Sequence, residues 1–417
     1  MVVSAVYLAL AAAFTVRTPA WENDDELGHT LYTEYLVAHH TLPPIAVASG
    51  DESHQAPLYY VLLAGYQTAL GISAFPAQLP PPASAPAAGV VKQFEVHHDY
   101  TPAQRQQAVW VHALRWWSVG CGLLTVLAAY ATGWLLSGRT SVAAATAMTV
   151  AAWPKFLVVS AAVTNSALVD ALCACALPCW VRWQQTRSTG WAAVTGTVLG
   201  AAVLTQVTAL PLTVLLLGAM AATALRRRDW RAPLLAGGCA VAVCGWWFIR
   251  NTVRYGDPLA TAATSRYLHQ MFRLALIRPH PTLSVTILRQ TLPILAHSTW
   301  YSAGWDQLLL PRPVDDIVWV LAGVTVLAAV RSPVASHVTV LAGAAASVAA
   351  WLLIVRSTTH PQGRYLLTGV SAWAALLVAG SARFTRRRQW PLWIWPTLFL
   401  GLDGYLIATT LIPHGRL

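Results

Sequence analysis

Four carboxylates crowd into one short segment near the start of the chain. Glu22, Asp24, Asp25 and Glu26 fall within six residues, and nine of the 16 acidic residues lie between Glu22 and Asp99. The helix dipole favours acids in a first turn, which accounts for one or two of them but not for four. A carboxylate can instead act as a general base on an acceptor hydroxyl while a second one orients a group or holds a cation. We therefore interpret this segment as a candidate catalytic element.

Arginines form a second group of candidate residues. Arg364 follows Gly363 at the start of a late apolar segment, and Arg250 and Arg254 follow an earlier one. A guanidinium binds phosphate in a bidentate manner, and a helix N-terminus adds backbone donors for the same anion. This favours phosphate binding by Arg364. For Arg250 the alternative is a favourable interaction with the dipole at a helix C-terminus, beside an aromatic belt.

Other polar residues allow both a functional and a structural interpretation. Lys155 lies within an apolar segment, where a cation pairs with an anion, faces a wet cavity or snorkels to the headgroups; Asp170 is a candidate partner. His54 and Gln55 can donate to a sugar or phosphate. His97-His98-Asp99 has the residue types of a metal site, but a solvated loop is the favoured interpretation.

Composition identifies an integral membrane protein. Hydrophobic residues make up 56% of the chain, charged residues 10%, and the mean hydropathy is +0.51. The net charge of +11 comes from arginines between apolar segments, which set topology, so nucleic-acid binding is not expected. All six cysteines lie in apolar segments, so neither a disulfide framework nor a zinc site is expected.

The apolar segments predict a single all-α polytopic membrane domain covering residues 1–417, with about eleven transmembrane helices. With a cytoplasmic N-terminus, short arginine-rich turns fall on one side, as the positive-inside rule requires. The opposite side then holds a first external loop, 17–107, which we interpret as catalytic, a second one, 251–316, and a short one, 356–364. The predicted spans are Val2–Val16, Val109–Leu136, Val142–Val159, Ala167–Trp183, Trp191–Thr205, Ala209–Leu225, Ala232–Ile249, Ile317–Val330, Val334–Val355, Tyr365–Ala379 and Pro391–Ile412.

The first external loop is predicted to contain helices of its own. Asn23 and Glu26 have the spacing of a capping box that starts a helix running through Leu36, with His29 on the same face as Asp25. A helix at the membrane interface is expected at 57–70, and the proline-rich segment 79–86 is expected to be an extended linker.

Five short motifs occur in order along the chain and resemble those of the GT-C superfamily, the polyprenyl-phosphate-dependent glycosyltransferases, in its protein O-mannosyltransferase and aminoarabinose-transferase group and its bacterial branch. The motifs are Asp25-Glu26-Leu27-Gly28-His29, His54-Gln55-Ala56-Pro57-Leu58-Tyr59-Tyr60, Asn165-Ser166-Ala167-Leu168, Trp246-Trp247-Phe248-Ile249-Arg250-Asn251-Thr252-Val253-Arg254-Tyr255-Gly256-Asp257-Pro258 and Gln362-Gly363-Arg364-Tyr365.

The resemblance implies a GT-C-type bundle with external loop helices, a sugar donor on a polyprenyl phosphate, and Asp25 as the catalytic carboxylate. Glu26 is expected to be the second catalytic residue, which orients the loop or the acceptor. It implies no obligatory cofactor, although the paired acids leave a divalent cation open. Ser166 stands where the family has an aspartate, so no role is carried over there, and no large soluble domain follows the last span. The substrate-binding residues expected from the motifs and their spacing are Arg364, Arg250, Arg254, Lys155, His54, Gln55, His29, Tyr365 and Tyr59.

The expected activity is an inverting glycosyl transfer at the extracytoplasmic face of a membrane, with a bacterial plasma membrane as the expected location. The expected partners are the lipid-linked donor, membrane lipid, and a glycan, lipid or protein acceptor. Two alternatives stay open at this point. A lipid-linked sugar flippase would translocate without forming a glycosidic bond, and a noncatalytic subunit of a glycan assembly complex would tolerate replacement of Asp25.

Overall fold

The computed structural model describes residues 1–46, 51–77, 101–272, 283–304, 306, 308–329, 332, 334, 337–356, 358, 360–384 and 389–411. The expected linker at 79–86 and the His97-His98-Asp99 group lie outside these residues. The described part of the chain is almost entirely helical, which confirms the all-α prediction.

Sixteen α-helices and one two-stranded antiparallel ribbon occur in the described residues. The helices are α1 (Val2–Arg17), α2 (Glu26–His39), α3 (Leu58–Ala69), α4 (Pro102–Ser137), α5 (Thr140–Ala151), α6 (Pro154–Ser160), α7 (Asn165–Thr186), α8 (Thr189–Thr205), α9 (Leu210–Arg227), α10 (Arg231–Tyr255), α11 (Thr261–Phe272), α12 (Val285–Thr299), α13 (Arg312–Ala329), α14 (Val338–Val355), α15 (Val370–Ser381) and α16 (Ile394–Leu406). The strands are β1 (Ser302–Ala303) and β2 (Leu308–Leu309), with Ser302 opposite Leu309.

Six helical segments in the described chain are long and apolar enough to cross a membrane, and a bent pair raises the number to seven. The polytopic architecture is therefore confirmed, whereas the count of about eleven is not. Several predicted spans are short in the structure: α1 and α8 are apolar but have 16 and 17 residues. The six segments are α4, α7, α10, α14, Val207–Arg227 and Trp390–Leu411.

The predicted span Val142–Val159 is broken. α5 and α6 meet at an angle of 64°. Pro154 sits at the first position of α6, where its missing N–H leaves no helical bond unmade, so a new helix begins there. The backbone N–H of the next residue, Lys155, donates to the carbonyl of Trp300 at 2.8 Å. The bend thus places Lys155 against the loop that follows α12.

The predicted span Tyr365–Ala379, next to Arg364, also differs from the structure. Residues Gly363–Gly369 form a 3-10 helix, and α15 begins only at Val370. A side-chain carbon added at Gly363 would lie 2.5 Å from the Cα of Thr299, so this close approach requires glycine. The Gly363 N–H donates to the Ser298 hydroxyl at 2.7 Å. These contacts fix the 3-10 helix, and with it Arg364, against the end of α12.

Candidate active site

Asp25 lies immediately before α2 in an unusual backbone conformation. Its φ of 60° is left-handed, a region that aspartate and asparagine tolerate better than most residues. The predicted capping box is wrong. The helix begins at Glu26, and no side chain caps it, because the Glu26 carboxylate turns away to a distant partner. The helix runs to His39, three residues beyond the predicted end.

Glu26 forms a fully buried, bidentate ion pair with Arg115 of α4. The Arg115 Nε and Nη2 atoms donate to the two Glu26 oxygens at 2.7 Å each. The same carboxylate accepts from the backbone N–H groups of Trp21 at 2.9 Å and Val163 at 3.0 Å. The remaining Arg115 donors bind carbonyls in the last turn of α1 and just after it, namely those of Thr15, Thr18 and Pro19. Glu26 thus joins the starts of α2 and α7 to α1 and α4.

The sequence analysis did not identify Arg115 as a residue of this region. It lies within the predicted span Val109–Leu136. The available signal was its position, since a cation inside an apolar helix needs an anion, and the acidic segment that contains Glu26 lies on that side of the predicted membrane.

Asp25 contacts Arg364 directly. The Arg364 Nη2 donates to Asp25 Oδ2, and the guanidinium carbon lies 5.3 Å from the ring centre of Tyr365. The buried Nε of Arg364 has no hydrogen-bond partner in the described residues. Burial raises the pKa of the Asp25 carboxyl, but the charge and the hydrogen bond of Arg364, together with smaller contributions from His29 and His54, hold this pKa below its usual value. Asp25 is therefore an ionised carboxylate at neutral pH.

His29 lies one turn along α2 from Asp25. Its Nδ1 is 2.8 Å from the Tyr60 hydroxyl and its Nε2 is 3.3 Å from the Thr164 hydroxyl. Burial lowers the pKa of His29 to about 3, so its imidazole is neutral. Tyr60 stacks in turn on Tyr32, with ring centres 3.8 Å apart, which fixes the face of α2 that carries Asp25 and His29.

Asp25, His29 and Glu52 form a group whose potential ligand atoms lie within 4.8 Å of one another. Two carboxylates and an imidazole are a donor set suited to a divalent cation. Glu52 lies in a short 3-10 helix, Asp51–His54, and was not singled out from the sequence.

Lys155 is buried beside the acidic cluster. Its Nζ donates to the carbonyl and hydroxyl of Ser302 at 2.9 and 2.6 Å and lies 3.5 Å from Asp24 Oδ2. The anion beside this lysine is therefore Asp24. The Asp170 carboxylate has no hydrogen-bond partner within the described chain, so the pairing considered for it is wrong.

The motif around His54 surrounds the start of α7. The Gln55 side-chain nitrogen lies 3.2 Å from His54 Nε2, and Asn165 donates to Gln55 at 3.4 Å. Tyr59 is fully buried, with its hydroxyl 2.9 Å from Ser118 Oγ and accepting from the Thr164 N–H at 3.0 Å. Its hydroxyl therefore ties α3 to α4 and α7.

Arg250 and Arg254 lie at the end of α10. The guanidinium carbon of Arg250 is 4.8 Å from the Trp247 ring centre, and Nη2 donates to the Pro43 carbonyl at 3.4 Å. Arg254 is exposed beside Tyr255. No contact joins either arginine to Asp25 or Arg364 in the part of the chain that the structure describes. The geometry therefore groups Asp25, His29, Arg364 and Tyr365 directly, and it does not bring these two arginines into contact with that group.

The helical bundle with its external helices has the GT-C-type fold, as expected. Among solved structures, ArnT from Cupriavidus metallidurans bound to undecaprenyl phosphate matches with a TM-score of 0.57 and 16% sequence identity, covering 96% of this chain and 62% of that one. The chain thus spans about three fifths of the length of that relative.

Two further structures match less closely. The Archaeoglobus fulgidus oligosaccharyltransferase in the apo form has 13% identity, a TM-score of 0.47 and coverage of 99% of this chain and 55% of that one. The S. cerevisiae protein O-mannosyltransferase Pmt1-Pmt2 complex has 16% identity, a TM-score of 0.40 and coverage of 66% and 34%. A family model described as dolichyl-phosphate-mannose-protein mannosyltransferase matches residues 86–272. No curated protein matches the chain.

Proposed function

We propose that the protein transfers a sugar from a polyprenyl-phosphate donor to an acceptor hydroxyl, with inversion at the anomeric carbon. The observation that carries this proposal is the contact of the Asp25 carboxylate with Arg364 beside His29. Such a transfer requires a base for the acceptor hydroxyl and, close to it, a cation that binds the donor phosphate. The fold shared with ArnT and the match to the mannosyltransferase family model support it.

Arg364 is proposed to bind the donor phosphate while it orients Asp25. A guanidinium has five N–H donors, and the contact with Asp25 occupies Nη2 and leaves the buried Nε without a partner. Arg250, Arg254, His54 and Gln55 are proposed to complete the phosphate and sugar contacts, with Tyr365 beneath the guanidinium. Fixed positive charge stabilises the phosphate as it leaves.

In the proposed reaction Asp25 accepts the proton of the acceptor hydroxyl. The hydroxyl oxygen forms a bond to the anomeric carbon, and the bond to the phosphate oxygen breaks on the opposite side, so that the polyprenyl phosphate leaves with the electron pair. Glu26 acts as a positioning residue through Arg115, and Lys155 holds Asp24 and the loop after α12. Tyr59 fixes α3, which brings Tyr60 to His29.

The site is proposed to face the extracytoplasmic side of a bacterial plasma membrane. Supporting this, arginine-rich turns such as Arg139 and Arg226–Arg228 follow α4 and α9, on the side opposite to α2 in the predicted topology. The first and second external loops, 17–107 and 251–316, are proposed to enclose the site within one membrane domain.

A divalent cation is proposed to be dispensable for transfer. Asp25, His29 and Glu52 can hold one, but Arg364 already supplies positive charge at Asp25. Extensive dialysis against EDTA is therefore expected to leave the turnover rate within about twofold of the untreated protein, a change of under 1 kcal/mol in the barrier. A loss that added Mg²⁺, Mn²⁺ or Zn²⁺ restores would make the cation a required component held by these three residues.

The decisive test of the proposed function uses the purified protein with a panel of polyprenyl-phosphate sugars. Mass spectrometry is expected to detect released polyprenyl phosphate and a new glycoside. A flippase would move the donor across a vesicle membrane and leave it intact, and a noncatalytic subunit would leave it intact on its own. Either result with a folded protein would contradict the proposal.

Replacing Arg364 with glutamine is expected to shift the pH dependence of transfer. Asp25 must be ionised to act as a base. Burial raises its pKa and Arg364 lowers it, so removing the guanidinium leaves the effect of burial. The acid limb of the rate profile should therefore move to higher pH, in addition to any loss of donor affinity. Arg250→Gln, which removes a cation without contact to Asp25, should leave the position of the limb unchanged. Identical acid limbs in wild type and Arg364→Gln would contradict this role.

A further inference from the structure

A second pair of a basic and an acidic side chain lies in the same short segment as Arg364. The Nε2 atom of His360 is 2.8 Å from Oδ2 of Asp306, in the turn between β1 and β2. The Asp306 side chain is 4% exposed and that of His360 is 45% exposed, so the histidine equilibrates with the solvent. Arg364, four residues further on, contacts Asp25. The segment 360–364 thus supplies a basic side chain to each of two aspartates on different loops.

Both aspartates have a left-handed backbone. The φ angle is 60° at Asp25 and 61° at Asp306. Residues other than glycine keep this conformation where surrounding contacts hold them in it. At both positions the side chain that contacts the carboxylate comes from the segment 360–364. This segment therefore helps to hold the shape of both loops.

Further polar contacts connect the two pairs. The Nζ of Lys155 donates to the Ser302 hydroxyl at 2.6 Å and lies 3.5 Å from Oδ2 of Asp24. The Ser302 hydroxyl in turn hydrogen-bonds the Asp306 carboxylate, and the charge of Lys155 acts on that carboxylate as well. Because Asp24 adjoins Asp25, these contacts close a ring that passes through both pairs. A change at Asp306 is therefore linked to the catalytic carboxylate by two routes.

The middle of the segment is held by contacts that do not depend on pH. The Pro361 carbonyl accepts from Nε1 of Trp351 at 2.9 Å, and the Gly363 N–H donates to the Ser298 hydroxyl at 2.7 Å. Of these contacts and that of His360, only the last is made by a group that titrates near neutral pH. A single proton therefore decides whether the first residue of the segment is held by charge.

The charges around His360 favour its protonated form. The hydrogen bond to Asp306 raises the pKa of His360, with the charges of Asp306 and Asp24 adding to it, and these effects outweigh burial and the charge of Arg364. His297, in the last turn of α12, is a further neighbour of His360. A histidine with a raised pKa keeps its ion pair below the ordinary value of about 6.5 and loses it as the pH rises through the raised value.

We infer that protonated His360 is a positioning residue, which through its ion pair with Asp306 holds Arg364 in the arrangement that binds the donor phosphate. The inference rests on the proposed function and adds a residue that acts through Arg364 rather than on the reacting atoms. A phosphate at Arg364 adds negative charge near His360, so donor binding and protonation of His360 favour each other.

The KM for the polyprenyl-phosphate sugar, measured as a function of pH, tests this inference. In the wild type it is expected to rise about three- to fivefold as His360 loses its proton, the effect of a half-exposed ion pair. The donor is a phosphodiester and stays ionised over this range. His360→Gln retains a side-chain donor but no charge, so its KM should be raised at every pH and lose this dependence. Simple destabilisation would instead lower kcat and leave KM unchanged.

Three further variants complete the comparison. His360→Lys keeps a cation well above neutral pH and should preserve the low KM where the wild type loses it. Asp306→Asn removes the anion and should behave as His360→Gln does, which gives a second test if that variant does not fold. His39→Gln makes the same substitution at an exposed histidine whose contacts are with Tyr35 of its own helix, and it should keep the wild-type dependence.

NMR titration of His360 examines the ion pair without turnover, and Asp306→Asn should lower the midpoint of that titration. An unchanged midpoint overturns the inference. A donor KM that does not vary with pH in the wild type, or that varies equally in His360→Gln, overturns it as well and leaves the proposed function standing. Absence of turnover with every donor and at every pH overturns both.

Discussion

Asp25→Asn is expected to lower the rate of sugar transfer at least about a thousandfold while the protein stays folded. General base catalysis contributes about 10² to 10⁴ to a rate, and an amide cannot take the proton. Asparagine is the least disruptive replacement, because it has nearly the same shape and tolerates the left-handed backbone at this position. Its side-chain oxygen can still accept from Arg364. The measurement is the initial rate of glycoside formation at saturating donor.

Two control measurements accompany the Asp25→Asn result. Donor binding should persist in Asp25→Asn, since the Arg364 Nε remains available for phosphate. Asp316→Asn removes an exposed carboxylate on α13 and should leave the rate unchanged. Turnover of Asp25→Asn within about tenfold of the wild type would be incompatible with general base catalysis by this residue.

Glu26→Gln is expected to destabilise the protein by about 3 to 5 kcal/mol, the largest stability effect anticipated for a single conservative change. Removing one partner of a buried ion pair leaves the other as an uncompensated charge. Arg115 is fully buried and has no other carboxylate contact in the described residues. Because Glu26 also holds the backbone of Trp21 and Val163, transfer activity should fall together with stability. The measurement is denaturant-induced or thermal unfolding of the purified protein.

Glu34→Gln provides the matched control within α2. The Glu34 carboxylate accepts from the Gln67 side chain and the Phe75 N–H, both neutral donors, and pairs with no cation in these contacts. Its replacement should cost about 1 kcal/mol, the net value of an ordinary hydrogen bond. Equal losses for the two glutamine variants would show that the charge of Arg115 is not what makes Glu26 important.

Residue type and spacing pointed to Asp25 and Arg364, which the structure brings into contact, but not to the other contacts of this region. The clustering of Asp24, Asp25 and Glu26 and the position of Arg364 beside a glycine were visible as patterns of residue type and spacing. The Glu26–Arg115 pair was not, because it joins residues 89 positions apart through two helix packings. The same pair explains why the predicted capping box does not form: the Glu26 side chain binds Arg115 instead of the backbone at the start of its own helix. A local spacing rule takes no account of a stronger distant partner.

The prediction of the membrane spans was limited in a similar way, by bends in the backbone that the sequence pattern does not show. An apolar run predicts a span, yet Pro154 divides one run into two helices, and the close contact of Gly363 with Thr299 begins another as a 3-10 helix. The bend at Pro154 also explains why Lys155 meets Asp24 and Ser302 instead of Asp170. Hydropathy indicates where an apolar segment begins and ends, but it does not indicate the tertiary contacts that bend the segment.

The anomeric configuration of the product of a single turnover tests the central claim most directly. With Asp25 as the base and Arg364 at the leaving phosphate, the acceptor attacks in one displacement, so NMR of the new glycoside should show a configuration opposite to that of the donor. Retained configuration would instead require a covalent sugar intermediate, with Asp25 as the obvious nucleophile, and would contradict the mechanism. Recovery of intact donor from the folded protein with every acceptor supplied would contradict the enzymatic account itself.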